Sequence, residues 1–562
     1  MIATQVLVVG GGPVGMTLAN ALAFYGVRSV LVEKNPGTTT HPKMDITNAR
    51  SMEIFRKTGL ADALRAVAIP DENPFDVAWI TKLNGHELHR FRYPSAAESL
   101  IQIRRKNDGT QPSEAPMRVS QVLIEPVLKT AIEQNPLIEV MFGWAFESFT
   151  RCEEGVTAQV VDGSGKRMNI SAEYLVGCDG GGSLVRKQLG ISLSGKAQVS
   201  RRYITHFRSD ARQLLQRWGK AWHYQSNLGT LVAQNDHDTW TLLSRIPDDV
   251  EPEDVDPARL IETFVGEKIA HEILVANSWS PHLLVADSYG QGRVLLAGDA
   301  VHQYIPTGGY GMNTGIGDAF DLAWKLGALV QGFGGEQLLA SYESERRPVG
   351  LANCTGSEKH NQVRVQIAGL YTPELDIDSD QGELQRQKVA ASIAAIGNAE
   401  NECAGLELGY CYRDSPIICS EDNASHSGNR LTVDDPLEYR PSTEPGARLP
   451  SVFLGDGKNI YQLLGPWFTL LCFESCDTEM VDAVAAKMAV PLQITRIDLP
   501  GYSDIYHSAC VLVRPDQHVA WRGAMPVDEQ SIERILSRVV GKMAVDNDNI
   551  GCPDNSCVNQ YT

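Results

Sequence analysis

Near the N-terminus, apolar positions form two short unbroken runs, Gln5–Val9 and Ser29–Glu33. Between them lies a stretch with helical spacing at Met16, Leu18, Ala19, Leu22 and Ala23. Continuous runs of this length predict strands buried on both faces of a parallel sheet, joined by a crossover helix. A later run, Arg293–Ala297, predicts a similar strand, and Ile316, Ala319, Leu322, Ala323 and Leu326 put an apolar stripe on the helix after it. In between, the pattern changes. Tyr203–Phe207, Ala221–Tyr224, Thr230–Ala233 and Thr239–Leu243 alternate aromatic or β-branched residues with polar ones, as a half-buried antiparallel sheet requires. A helical stretch at about 375–400 and a turn-rich segment at about 405–447 follow. Three more strands are then predicted at Phe468–Phe473, Leu492–Asp498 and Ala509–Arg514. Helical spacing lies around 477–488 and 528–541, and Pro515–Arg522 reads as a closing hairpin.

A chain of 562 residues has room for about three to four domains. Its 43% hydrophobic and 21% charged residues suit a packed globular protein rather than a disordered one. Sixty-nine acidic against 50 basic residues give a net charge of −19 with no basic stripe, so nucleic acid is not an expected partner. No apolar run approaches bilayer-spanning length, mean hydropathy is −0.19, and no secretory signal pattern is visible; no membrane association is expected. The 11 cysteines are sparse and irregularly spaced, which fits a reducing, cytoplasmic setting. Cys552 and Cys557, in a tail expected to be disordered from 543 to 562, lack other ligands, and no metal site is expected.

Chemistry enters at the first turn. Gly10, Gly12 and Gly15, with Pro13 and Val14 between them, satisfy G-x-G-x-x-G directly after a strand and at the start of a helix. Gly10 permits the tight turn, Gly12 admits a pyrophosphate, Gly15 lets helix and strand approach, and the helix N-terminus offers its free N–H groups. Glu33, followed by Lys34, ends the second strand where a carboxylate accepts from a ribose 2′-hydroxyl, which favours FAD or NAD over NADP. A second constellation narrows the choice. Gly298-Asp299 ends a strand, Pro306 follows in a loop, and Gly308, Gly309, Tyr310, Gly311, Met312 and Asn313 lead into a helix. A carboxylate beside a glycine-rich helix start suits a polyol chain next to a ring that becomes anionic. The ribityl and pyrimidine edge of a flavin is such a group.

With these motifs, Cys178-Asp179-Gly180 running to Arg186, and Tyr342 to Pro348, the chain resembles the single-component FAD-dependent aromatic hydroxylases, in particular the phenol 2-monooxygenase and 2,4-dichlorophenol 6-monooxygenase branch. The resemblance implies an α/β fold: a Rossmann-like, glutathione-reductase-like FAD-binding domain with an inserted α+β substrate domain and a C-terminal thioredoxin-like domain. It would divide the chain into a discontinuous FAD-binding domain (1–75, 110–190 and 285–370), a substrate domain (76–109 and 191–284), a helix and linker (371–447) and the thioredoxin-like unit (448–542). Arg50, Gln121, Asp179 and Asp299 are then expected at FAD. Pro306 lines the flavin face, with Gly311, Met312 and Asn313 at its anionic edge.

The activity implied is hydroxylation of a phenolic compound in aromatic catabolism. NADH or NADPH would serve as transient reductant and O2 as co-substrate, through a C4a-hydroperoxyflavin. There is no second dinucleotide fingerprint, so the nicotinamide is expected to dock at the flavin and leave. A phenol reacts faster as phenolate, so a base is wanted near its hydroxyl. Asp45, five residues before Arg50, matches the catalytic Asp of the phenol hydroxylases; the alternative is that it caps the helix beginning near Thr47. Trp222 and Tyr224, sharing a face by period two, are expected pocket walls, with Tyr310 a further candidate. His302 is expected to be structural. Cys472 and Cys476 are one residue too far apart for C-x-x-C, so the C-terminal unit is expected to support a homodimer or larger homo-oligomer rather than redox chemistry. Rival readings are a related flavin oxygenation (denitration, decarboxylation, epoxidation or Baeyer–Villiger insertion on an aromatic or polyketide) and a non-catalytic flavin-fold binding protein.

Overall fold

The computed structural model describes residues 2–247, 249–419, 432–497 and 503–543. Its largest sheet is organised by the first apolar run. Ile2–Val9 pairs in parallel with Arg167–Gly177 on one side and Ser29–Glu33 on the other. Ile138–Phe142 and Val294–Leu296 extend the parallel order outward. An antiparallel strand, Gly290–Gln291, closes one edge, and the hairpin Trp144–Arg151 and Val156–Asp162 is laid against Arg167–Gly177. Val6, Leu7 and Val8 have no exposed surface, because helices cover both faces. Among them, Pro13–Phe24 and Tyr310–Val330 pack on one another, and Leu18, Leu22, Ala319 and Ala323 are buried in the shared core.

The inserted sheet has seven strands in the order Glu272–Trp279, Arg202–Arg208, Thr239–Arg245, Gly229–Ala233, His223–Ser226, Val77–Ile80, Glu87–Phe91. Its two faces differ in chemistry. One presents Ala78, Phe207, Tyr224, Leu231, Trp240 and Leu242 to the helix Pro257–Val265, forming an apolar core of its own. Alternation sends His223, Gln225, Thr230, His206 and Thr241 to the other face, which is polar yet buried. The segment expected as helix and linker packs closely: Val389 and Ile393 of the helix Asp380–Ile396 join Trp79 and Leu88 in a small core under the insert.

At the C-terminus, Leu492–Arg496 runs parallel to Phe468–Cys472, while Cys510–Val513 and Val519–Gly523 are antiparallel. With helices Glu479–Lys487 and Glu529–Val539, this is the sheet order of the expected thioredoxin-like unit. The unit docks through buried charge. Arg514 reaches Glu345 and Asp321, and Lys325 pairs with the same two carboxylates. Among the described residues, no helix is long and apolar enough to cross a membrane. Apart from Met543, the expected tail lies outside the described residues.

Candidate active site

The glycine turn separates two jobs by geometry. At Gly10, φ is +113° and a Cβ would stand 2.3 Å from the Cys178 carbonyl oxygen; at Gly15 it would stand 2.0 Å from that of Gly10. Both glycines are demanded by the protein's own packing. Gly12 is not: its backbone is ordinary, with φ −76°, and no atom lies within 4 Å of the missing Cβ. The space serves a group from outside the chain, facing the start of helix Pro13–Phe24, where Pro13 occupies the position whose N–H has no helical partner. Val14 fills the gap between Gly298 and Gly315, fastening this turn to the Asp299 loop.

Glu33 braces the turn, one carboxylate oxygen accepting from Gly11 N at 2.7 Å and the other from Asn35 N at 2.8 Å; Lys34 beside it is exposed. Asp179 accepts from Leu184 N and Val185 N at 2.7 and 3.2 Å through Oδ2, while its buried Oδ1 has no partner. Arg186 laces this loop to the next by donating to Ala300 O and Gly181 O. Asp299 is exposed at the end of its strand; the surrounding protein pushes its carboxyl pKa up, against the opposing charges of His302 and Lys43. Pro306, further along the same loop, is exposed, and a Cβ on Gly311 would meet nothing within 4 Å. The open volume at Gly12 and Gly311, the orphaned Asp179 oxygen and the exposed Asp299 together fit a dinucleotide carrying a polyol and a ring, as FAD does.

The helix expected to open after Asn313 begins at Tyr310, behind Gly308 and Gly309 at φ +86° and +66°. Gly311, the half-buried Met312 and Asn313 therefore lie in its first turn. The Asn313 side chain is occupied: it donates to Ile46 O and Gly309 O and accepts from Asn48 N and Ser51 Oγ. The side chain is a staple, and what it staples is the segment carrying Asp45. That segment is held from the other side as well, where Val119 N and Gln121 N donate to the carbonyls of Asp45 and Met44. The Gln121 side chain donates to Glu125 at 2.7 Å.

Asp45 does not cap the following helix. Asn48 does, accepting from Ser51 N at 2.9 Å. The Asp45 carboxylate turns instead to the polar face of the insert, where Trp222 Nε1 donates to it and His223 Nε2 lies 3.5 Å away. Burial pushes its pKa up, but the hydrogen bonds from His223 and Trp222 and the Arg118 charge outweigh that and hold it below the ordinary carboxylate value. About a fifth of its side-chain surface, 22%, stays open. Burial lowers the His223 pKa, so the imidazole is neutral, and its buried Nδ1 has no partner. Beyond it, Glu400 takes three hydrogen bonds of 2.7–3.0 Å from Arg364 and one from Gln225. His223, Glu400 and Arg364 are absent from the sequence-level expectation. The signal that could have found His223 is the polar phase of its strand.

Three expected residues sit elsewhere. Arg50 is buried with the C-terminal unit: its guanidinium donates to Tyr410, Glu53, Gln517 and the Asp516 carbonyl. Tyr224 lies fully buried in the insert's apolar core, its hydroxyl on Gly219 O at 2.6 Å; Trp222 precedes the strand, so period two does not relate the pair. Tyr310 is 3% exposed, its hydroxyl 2.9 Å from His360 Nε2 among Cys403 and Leu406, away from open surface. His302 matches its structural expectation, fully buried with Nε2 2.8 Å from Asp318 and its ring stacked on Tyr304.

Comparison with known proteins accounts for both halves of the chain. The FAD binding domain model matches residues 3–357 and the aromatic-ring hydroxylase C-terminal model residues 442–543. The FAD-dependent monooxygenase apdD of Emericella nidulans is 36% identical, over 97% of this chain and 91% of its own. A phenol 2-monooxygenase of Pseudomonas sp. is 28% identical, over 93% and 90%. Among solved structures, chromopyrrolic acid-soaked RebC with bound 7-carboxy-K252c superposes with a TM-score of 0.86 at 33% identity, over 96% of this chain and 100% of that one. The chain belongs to the FAD-binding aromatic-ring hydroxylases, a family of flavoprotein monooxygenases.

Proposed function

We propose that this monooxygenase takes electrons from NADH or NADPH and inserts one atom of O2 into a phenolic ring whose hydroxyl rests against Asp45. The observation that carries the reading is the Asp45 carboxylate, ionised at neutral pH, held by Trp222 and His223, and still partly open. Bound FAD supplies the two-electron and oxygen chemistry. Gly12, Asp179, Asp299 and the first turn of helix Tyr310–Val330 would hold it; the helix N-terminus favours negative charge on the ring.

The rest is done by side chains of this chain. Asp45 accepts the phenol proton or its hydrogen bond, which raises electron density at the ring carbons to be attacked. Trp222 Nε1 fixes the carboxylate's direction. Neutral His223 stands beside it, with Nδ1 available as an acceptor. Pro306 adds an apolar surface that sheds water from the reacting face.

The relatives frame the substrate question, since phenol is named for one and 7-carboxy-K252c is bound in another. The test is NADH and NADPH oxidation by the purified protein against a panel including phenol, chlorinated phenols and 7-carboxy-K252c, with hydroxylated product quantified. Stimulated oxidation matched by product supports the reading. Oxidation that yields only peroxide across the panel, or no bound flavin, overturns it.

A further inference from the structure

Two groups of three potential metal ligands converge among the described residues. In the first, Asp321, Glu345 and Asp516, the space between carboxylates is already taken by protein cations: Lys325 lies 2.7 Å from Asp321 and 2.6 Å from Glu345, and Arg514 reaches all three. The second, Cys472, Cys476 and Cys510, has no such occupant. Their three sulfurs lie within 4.8 Å of one another, two on the C-terminal sheet and one on a loop beside it. Cys472 ends the central strand, Cys510 opens the antiparallel neighbour directly opposite it, and Cys476 comes from the loop that follows Cys472. That loop is anchored by Arg496, the residue opposite Cys472 on the other neighbouring strand, which donates to Cys476 O at 3.4 Å and Thr478 Oγ1 at 3.3 Å.

We infer that Cys472, Cys476 and Cys510 form a three-thiolate site for one soft d10 cation, of the Zn2+ or Cu+ kind. The geometry fits without rebuilding. Metal–sulfur bonds of about 2.3 Å place thiolates roughly 3.8–4.0 Å apart, inside the present spread, so small side-chain movements close the site. Sulfur ligands select soft cations over Mg2+ or Ca2+. Cys472 and Cys510 are buried and Cys476 is half-buried, so the cation would enter from the Cys476 side and take a fourth ligand, where one is used, from solvent. Binding is coordination without redox change: each thiol gives up its proton to solvent and one sulfur lone pair to the cation. The site is independent of the Asp45 reading.

The test uses the full-length flavoprotein, reduced and stripped by chelator, then titrated in separate arms with Cd2+, Zn2+ and Cu+. The expected result is one cation per chain, a sulfur-to-cadmium charge-transfer band in the ultraviolet, and its loss on competition with Zn2+ or Cu+. Cys476→Ser, on the half-buried loop, should keep the fold and flavin content while weakening binding beyond the roughly 10–100-fold that loss of an outer partner costs. Cys472→Ser should do the same; if it fails to fold, the Cys476 variant alone decides. An unchanged band in Cys476→Ser, sub-stoichiometric binding with all thiols reduced, or a Cys472–Cys510 disulfide recovered from protein kept under reductant would each overturn the assignment.

Discussion

One helix, Tyr310–Val330, serves two regions that use the same residue types to opposite ends. At its start, Asn313 staples the segment that presents Asp45 to Trp222 and His223, and that carboxylate keeps part of its surface open. Two to three turns on, Asp321 and Lys325 enter a cluster with Glu345, Arg514 and Asp516 in which every side chain is nearly or fully buried. In the first region, a carboxylate is oriented and left unsaturated. In the second, each charge is answered by another, and the cluster joins two domains. Burial of charge alone therefore does not mark an active site; an acceptor with unused capacity does.

Four predictions break or sharpen this contrast. Asp45→Asn should lower hydroxylated product by about 10²–10⁴-fold, the usual worth of a positioned acid or base, while flavin reduction and melting temperature stay near wild type. Product quantification beside stopped-flow reduction and a melting curve checks it; wild-type product yield would sink the base assignment. Glu345→Gln should do the reverse. It strips the charge that faces Lys325 and Arg514, costing about 3–5 kcal/mol, with flavin reduction per folded chain unchanged.

Acid separates the regions without mutation. Burial pushes the His518 pKa down to about 4, with Asp516 opposing, so the folded protein keeps it neutral. In the unfolded chain it titrates near 6.5, and more protons are bound there between about 6.5 and 4. Stability should therefore fall as pH drops through that window, and the fall should flatten in His518→Gln. Asp45, held below the ordinary carboxylate value, stays ionised over most of the window, so turnover of still-folded enzyme should not follow the melting curve. The smallest effect is expected at the cap: Asn48→Ala should cost about 1 kcal/mol in thermal unfolding, since it removes one bond at a helix start.

The parts of the protein legible in sequence are those whose reasons are local. The strand–glycine turn–helix unit shows in a continuous stretch because the turn itself demands glycine at Gly10 and Gly15, where a Cβ would meet backbone atoms, while the space at Gly12 is left open. Four of the insert's seven strands and the strands of the C-terminal unit are predicted within a few residues, because alternation and apolar runs are also local signals; Val77–Ile80, Glu87–Phe91 and Glu272–Trp279 are not. Arg50 was misread for the converse reason. Its partners Gln517 and Asp516 lie more than 460 positions away, and nothing near Arg50 in the chain announces them.

What the sequence determined by itself is most of the elements named at the outset, the dinucleotide turn, and the residue types available for acid–base work. Tertiary structure decided which face of each element meets which neighbour. A shift of one position along a strand exchanges the two faces of a sheet, and only packing against the helix Pro257–Val265 assigns Tyr224 to the core and its neighbour His223 to Asp45. The same holds for the cysteines. Cys472 and Cys476 are visible as a spacing, but Cys510 joins them only because antiparallel register sets it opposite Cys472, a pairing fixed by long-range hydrogen bonds that no local pattern encodes.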